Sequence, residues 1–77
     1  MPERCPCCRH LTLTARAAFE ICPVCFWEDD GQDDADVVRG GPNRELSLTI
    51  ARLNYAKVGA CDETVVRFVR EPRPEEK

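Results

Sequence analysis

Two Cys-Pro-x-Cys units stand near the start of the sequence, Cys5-Pro6-Cys7-Cys8 and Cys22-Pro23-Val24-Cys25, with thirteen residues between them. A Cys-x-x-Cys unit bends the backbone into a knuckle that turns both sulfurs toward one point. Proline at the second position presets one dihedral of that bend. Two such units on a short chain place four thiolates around one ion. Zn²⁺ takes four sulfurs in a tetrahedron, so Cys5, Cys8, Cys22 and Cys25 are the predicted zinc ligands. Iron is the alternative, because four thiolates also suit it. The interval between the units is slightly shorter than the common zinc pattern of about 15–20 residues, and a short hairpin can still bring them together.

An ion would matter to a chain of this size. Its 77 residues make one small domain. Such a domain buries only about 60% of the surface its unfolded form exposes, and its core alone rarely yields more than roughly 3–5 kcal/mol. Structural zinc binding is worth on the order of 10–16 kcal/mol in finger peptides. Metal removal is therefore expected to unfold at least the N-terminal half.

Compartment decides how six cysteines are used. No apolar stretch follows Met1-Pro2-Glu3-Arg4, so no signal peptide is expected. No segment approaches the roughly 20 apolar residues of a membrane span. A cytoplasmic location follows as the expectation, and thiols there stay reduced, which favours metal binding over a disulfide scaffold. The net charge is −3. Four thiolates around one Zn²⁺ carry −2 together, which takes the chain to about −5. That balance argues against nucleic acid, whose binding needs clustered Lys and Arg. The basic residues Arg4, Arg9, Arg16, Arg39 and Arg44 are scattered in sequence.

Four zones follow from the patterning. Residues 1–26 form the predicted metal-binding hairpin. Leu11-Thr12-Leu13-Thr14 and Phe19-Glu20-Ile21-Cys22 alternate apolar and polar, the period of half-buried strands, with Ala15 to Ala18 as the connection. Residues 27–45 are a loop, acidic from Glu28 to Asp36 and closed by the turn cluster Gly40-Gly41-Pro42-Asn43. Residues 46–72 are the helical part. Ser47 is a suitable N-cap and Gly59 a suitable C-terminal stop for a helix over Ser47–Val58. Its apolar residues split into two groups, Leu46, Ile50 and Leu53 against Leu48, Ala51, Tyr55 and Val58, so the helix is expected to be sandwiched or used at an interface. Asp62 could cap a second short helix carrying Val65, Val66, Phe68 and Val69, although the β-branched content also allows a strand. Residues 73–77 are expected to fray. The expected fold is thus a small, metal-stabilised α+β domain: a zinc-ribbon-like β-hairpin with two Cys-Pro-x-Cys knuckles, followed by one or two C-terminal helices.

Other chemistry is sparse. Cys7 and Cys61 read as small buried hydrophobes; their alternative is a reactive thiol, which needs positive surroundings. His10 is the only histidine and reads as a surface residue. The run Phe26-Trp27-Glu28-Asp29-Asp30 suits a solvated loop with Trp27 in the core, its N–H capping a nearby group, or a docking surface with an aromatic anchor. Carboxylates also suit Mg²⁺ or Ca²⁺, but Asp29-Asp30-Gly31-Gln32-Asp33-Asp34 lacks the full calcium-loop pattern. No phosphate-cradling loop is present, since Gly40-Gly41 precedes Pro42 rather than Lys-Ser/Thr.

Cys5-Pro6-Cys7-Cys8, then Cys22-Pro23-Val24-Cys25-Phe26-Trp27-Glu28-Asp29-Asp30, then Gly40-Gly41-Pro42-Asn43 with Ser47-Leu48 and Ala51-Arg52, resemble the bacterial cysteine-rich CPCC family from Cys5 to about Pro72. That resemblance implies a fold and a metal site but no established activity. It also implies that Trp27 to Asp30 and Gly40 to Asn43 do more than fill space. The position after each knuckle, where glycine would ease a positive φ, holds Arg9 and Phe26 instead.

The leading expectation is a non-enzymatic zinc protein that binds a protein partner, in the manner of an antitoxin or immunity factor, through Trp27, Glu28, Asp29, Asp30 and Asn43 and the second apolar helix face. A thiol-redox or rubredoxin-like iron protein is the first alternative, and a nucleic-acid-binding ribbon the second. Oligomeric state is not encoded in these features.

Overall fold

The computed structural model describes residues 2–32, 35–38, 43 and 45–77. The Gly40-Gly41-Pro42 turn and Asp33 and Asp34 of the acidic stretch lie outside the described residues. Strands β1 (Glu3–Arg4) and β2 (Leu11–Leu13) pair antiparallel, Glu3 opposite Leu13 and Arg4 opposite Leu11. The first Cys turn sits at their tip. Its closure is local: the Arg9 N–H donates to the Cys5 carbonyl at 2.8 Å and the Cys5 N–H to the His10 carbonyl at 2.8 Å.

The second Cys turn closes by the same pattern. The Phe26 N–H donates to the Cys22 carbonyl at 2.8 Å and the Cys22 N–H to the Trp27 carbonyl at 2.9 Å. Ile21 bridges Glu28 beyond it, and the Asp29 N–H reaches the Glu20 carbonyl at 3.0 Å. Both turns need a left-handed residue in the same place, and it is Arg9 (φ 68°) and Phe26 (φ 71°) that adopt it. Such a conformation costs a side-chain-bearing residue roughly 1–2 kcal/mol, and two flanking backbone bonds hold each one there.

Strand pairing therefore differs from the sequence expectation. Leu11–Leu13 is a strand, but its partner is Glu3–Arg4 rather than Phe19–Cys22. A Cys-x-x-Cys turn already reverses the chain, so its own flanks meet before distant segments do. The alternation over Phe19–Ile21 is also inverted: Phe19 and Ile21 are exposed and Glu20 is half-buried. Glu20 is held instead by Thr14 and Ala15, whose N–H groups donate to its carboxylate at 3.0 and 3.1 Å, with the Thr14 hydroxyl at 2.5 Å.

Helix α1 spans Leu48–Val58 as the caps require. The Ser47 hydroxyl oxygen accepts from the Ile50 N–H at 3.1 Å, and Gly59 turns left-handed (φ 80°) while donating to the Tyr55 carbonyl. The helix buries Leu48 and Ala51 and packs Tyr55 against the core. Ile50 and Leu53 remain exposed, so no part of the described chain sandwiches that face. A 3₁₀ helix follows over Glu63–Phe68, burying Val65. Asp62 stands at its N-cap position without a capping bond; its carboxylate accepts from the Thr64 hydroxyl at 2.7 Å.

The C-terminal end turns back on the chain. A 3₁₀ turn over Pro74–Glu76 brings the Glu76 carboxylate onto Arg70, both contacts at 2.8 Å, and the Arg73 N–H adds a third at 2.8 Å. The paired Arg70 guanidinium first, then the Arg73 N–H, lower the Glu76 pKa to about 2.

All six cysteines belong to the core, with Leu13, Val24, Trp27, Leu48, Ala51, Ala60 and Val65. The C-terminal half is bonded to the Cys turns from Arg52, Cys61 and Arg70. Arg52 Nε donates to the Pro6 carbonyl at 2.9 Å. The Cys61 N–H donates to the Cys25 carbonyl at 2.7 Å and the Arg70 N–H to the Pro23 carbonyl at 3.1 Å.

Gly31 locks the loop that follows the second turn. It is left-handed (φ +80°), and a Cβ added there would lie 2.7 Å from the Ala17 Cβ. Ala17 is itself left-handed (φ 58°) and has little room to yield. Gly31→Ala is expected to cost about 2 kcal/mol through combined backbone strain and overpacking. The measurement is the thermal midpoint of the metal-loaded protein. An unchanged midpoint would contradict the packing of Gly31 on Ala17.

Candidate metal centre

The two turns present their cysteines to each other. The ligand atoms of Cys5, Cys8, Cys22 and Cys25 all lie within 4.8 Å of one another, and all four residues are buried. Across the gap, Cys5 Sγ is 3.5 Å from Cys25 Sγ and Cys8 Sγ is 3.7 Å from Cys22 Sγ. Four Zn–S bonds of about 2.3 Å at tetrahedral angles set sulfurs about 3.8 Å apart. The cluster therefore has the size that a single tetrahedral ion requires. Four sulfurs this close could hold a metal ion.

Electrostatics support the same conclusion. Four thiolates at these distances repel strongly unless a cation or shared protons intervene. Within the cluster, hydrogen bonding from Cys25, then Cys5 and Cys8, drives the Cys22 thiol far down. Their bonds to Cys22 drive Cys8 and Cys25 far up. The Cys5 thiol is lowered as well, so two of the four are driven down and two up. Cys22 has two further contacts: its sulfur lies 3.0 Å from the Thr12 hydroxyl, and the Val24 N–H donates to it at 3.4 Å.

The remaining candidates are placed elsewhere. Cys7 and Cys61 are buried, outside the four-sulfur group. Burial first, then the neighbouring Cys7 and Asp62, raise the Cys61 thiol to about 12, so it is protonated at neutral pH. His10 is half-buried with its ring edge-on to Tyr55, centroids 6.0 Å apart, and it is not part of the cluster. Burial first, then the nearby cysteines, raise Tyr55 to about 12.

The aromatic-acidic run serves the interior more than the surface. Trp27 is fully buried, and its indole N–H meets no protein acceptor among the described residues, so the expected capping role is corrected. Asp29 is 1% exposed. Its carboxylate takes Arg16 Nε at 2.7 Å, the Ala17 N–H at 2.8 Å and the Gly31 N–H at 3.2 Å. Burial alone would raise its pKa; Arg16 and the two amides outweigh that and hold it below the usual value of 3.8. This stabilisation is present above pH 3.8 and is lost as pH falls through the lower folded value.

Asn43 is also buried. Its amide acts as a strand partner, accepting from the Glu28 N–H at 2.9 Å and donating to the Glu28 carbonyl at 2.7 Å. Trp27, Asp29 and Asn43 are therefore interior side chains in this fold. Glu28 and Asp30 are half-buried; the Asp30 carboxylate accepts from the Gln32 N–H at 3.1 Å. Among the described residues no cluster of carboxylates has metal-ligating geometry.

These features define a small α+β protein built around a buried four-cysteine centre. The family model for cysteine-rich CPCC proteins matches residues 3–76, and the chain belongs to that family. No curated protein and no solved structure matches it. No helix among the described residues is long and apolar enough to cross a membrane.

Sequence reasoning missed Thr12, because a threonine in an alternating strand carries no mark of the sulfur it faces. Hydrogen bonds to a ligating atom lower its charge and slow its loss, commonly by 10-fold or more in metal affinity. With Zn²⁺ loaded, Thr12→Val is expected to release the ion to a chelator roughly 10-fold faster, and Thr12→Ser to keep the wild-type rate. Equal rates for Thr12→Val and wild type would contradict a role for the hydroxyl.

Proposed function

We propose that the chain is a non-enzymatic interaction module held together by one Zn²⁺ on Cys5, Cys8, Cys22 and Cys25, in a zinc-ribbon-like arrangement of two Cys-Pro-x-Cys knuckles. The observation that carries this is the closed four-sulfur cluster, with all four residues buried. A catalytic zinc site keeps one position for water or substrate, whereas four protein sulfurs fill the tetrahedron. The matching closure of the two turns, each around a left-handed residue, supports the knuckle reading.

The surroundings favour binding over thiol chemistry. Cys61 is buried and protonated at neutral pH, unlike the exposed, low-pKa thiols of redox sites. The acidic balance, −3 before metal binding, suits a basic protein partner more than nucleic acid. An antitoxin or immunity factor acts in this way, by covering the basic surface of its target. A cytoplasmic setting fits a chain whose cysteines remain thiols.

Native mass spectrometry of anaerobically purified protein is expected to give one zinc per chain. Before chelation the buried Cys7 and Cys61 should react slowly and the four clustered thiols not at all, and all six should react after chelation in denaturant. A red protein containing iron would replace the zinc module with a rubredoxin-like electron carrier. Oxidised cysteines without metal would overturn the site itself.

A further inference from the structure

The two Cys turns meet sulfur to sulfur in a defined pairing. Cys5 Sγ of the first turn is 3.5 Å from Cys25 Sγ of the second, and Cys8 Sγ is 3.7 Å from Cys22 Sγ. A disulfide closes at about 2.05 Å, so each cross-turn pair needs its sulfurs to approach by roughly 1.5–1.7 Å. Cys7 and Cys61 stand outside the four-sulfur group. Within the group Cys8 is 8% exposed and Cys5, Cys22 and Cys25 are 0% exposed, so a small oxidant meets Cys8 first.

We propose that these four cysteines are also an oxidation site, at which hydrogen peroxide joins Cys8 to Cys22 and then Cys5 to Cys25, and that the two bridges hold the turns together in place of an ion. The chemistry balances on the thiols and the oxidant alone. One sulfur attacks a peroxide oxygen and becomes a sulfenic acid as the O–O bond breaks and a water leaves. The sulfur of its partner then displaces the sulfenic oxygen as a second water, and the S–S bond forms. Each bridge passes two electrons from a pair of thiols to one peroxide, and the two thiol protons leave in the waters. Disulfide sulfurs are no longer thiolates, so the ion and the bridges exclude each other. A cross-turn bridge closes a longer loop than a bridge inside one Cys-x-x-Cys unit and removes more freedom from the unfolded chain. With the turns joined, the carbonyls of Pro6, Cys25 and Pro23 still face Arg52, Cys61 and Arg70, and the oxidised chain keeps its helices.

The inference concerns the cysteines alone and stands apart from the interaction-module reading. Zinc-loaded ¹⁵N-labelled protein is treated with hydrogen peroxide, and released zinc is captured by a chromogenic chelator. Remaining thiols are alkylated and the bridges located by tandem mass spectrometry. The expected result is loss of four of the six thiols, release of the zinc, bridges Cys8–Cys22 and Cys5–Cys25, and a dispersed amide spectrum over Leu48–Val58. Dithiothreitol added in the presence of the chelator should then abolish that dispersion. Bridges within a turn or to Cys7 or Cys61, sulfinic acids in place of disulfides, retention of zinc with all six thiols, or an oxidised chain without dispersion would each overturn the assignment. Dispersion that survives dithiothreitol would overturn it too, because the bridges would then not be what holds the turns. A chain that takes up no zinc removes the zinc module, and oxidation of its reduced form still tests the bridges.

Discussion

Sulfur is the packing material of this fold. All six cysteines lie in the core, and the fully buried aliphatic residues beside them are few and small, with Trp27 the single large ring. A hydrophobic core of that kind contributes little in a short chain. Four of the sulfurs, held within 4.8 Å of one another, add instead a demand for positive charge. A cation there would satisfy the sulfurs and fix both Cys turns at once. Structural zinc is worth on the order of 10–16 kcal/mol in finger peptides, against roughly 3–5 kcal/mol from a core of this size.

The remainder of the chain hangs on carbonyls of those turns. Pro6 accepts from Arg52 of α1, Cys25 from the Cys61 N–H, and Pro23 from the Arg70 N–H. Arg70 in turn holds Glu76 at the C-terminal end. Each attachment is directional and depends on where the turn points its carbonyl. The centre and the helices are thus one cooperative unit rather than a metal knuckle with an appended helix. The same geometry explains why the turns tolerate left-handed Arg9 and Phe26: bonds on both sides hold the strained residue in place.

Much of this was legible in the sequence where one residue type answers to one local rule. Ser47 and Gly59 bracket the helix because capping is a short-range hydrogen-bond problem, and the two Cys-Pro-x-Cys units name their four sulfurs by spacing alone. Strand pairing was not legible, because period-two alternation says nothing about the partner. Phe19 and Ile21 face outward because Glu20 is captured by Thr14 and Ala15, which no alternation rule foresees. Trp27 in the core was one of two expectations, whereas Asp29 and Asn43 were expected only at a surface. Those two are interior because Arg16 and two backbone amides satisfy Asp29, and the Glu28 backbone satisfies Asn43. Tertiary partners of single polar residues leave no trace in a one-dimensional pattern. The acidic character of the loop persists at its surface through residues such as the half-buried Glu28.

The central claim is that one buried ion organises the whole chain, helix included. The direct measurement is a residue-resolved amide spectrum of the zinc-loaded protein, recorded before and after stoichiometric chelation under reducing conditions. Loss of dispersion at Leu48–Val58 and Glu63–Phe68 together with the Cys turns is the predicted result. A spectrum in which those helical residues stay dispersed after the ion is gone would contradict the account.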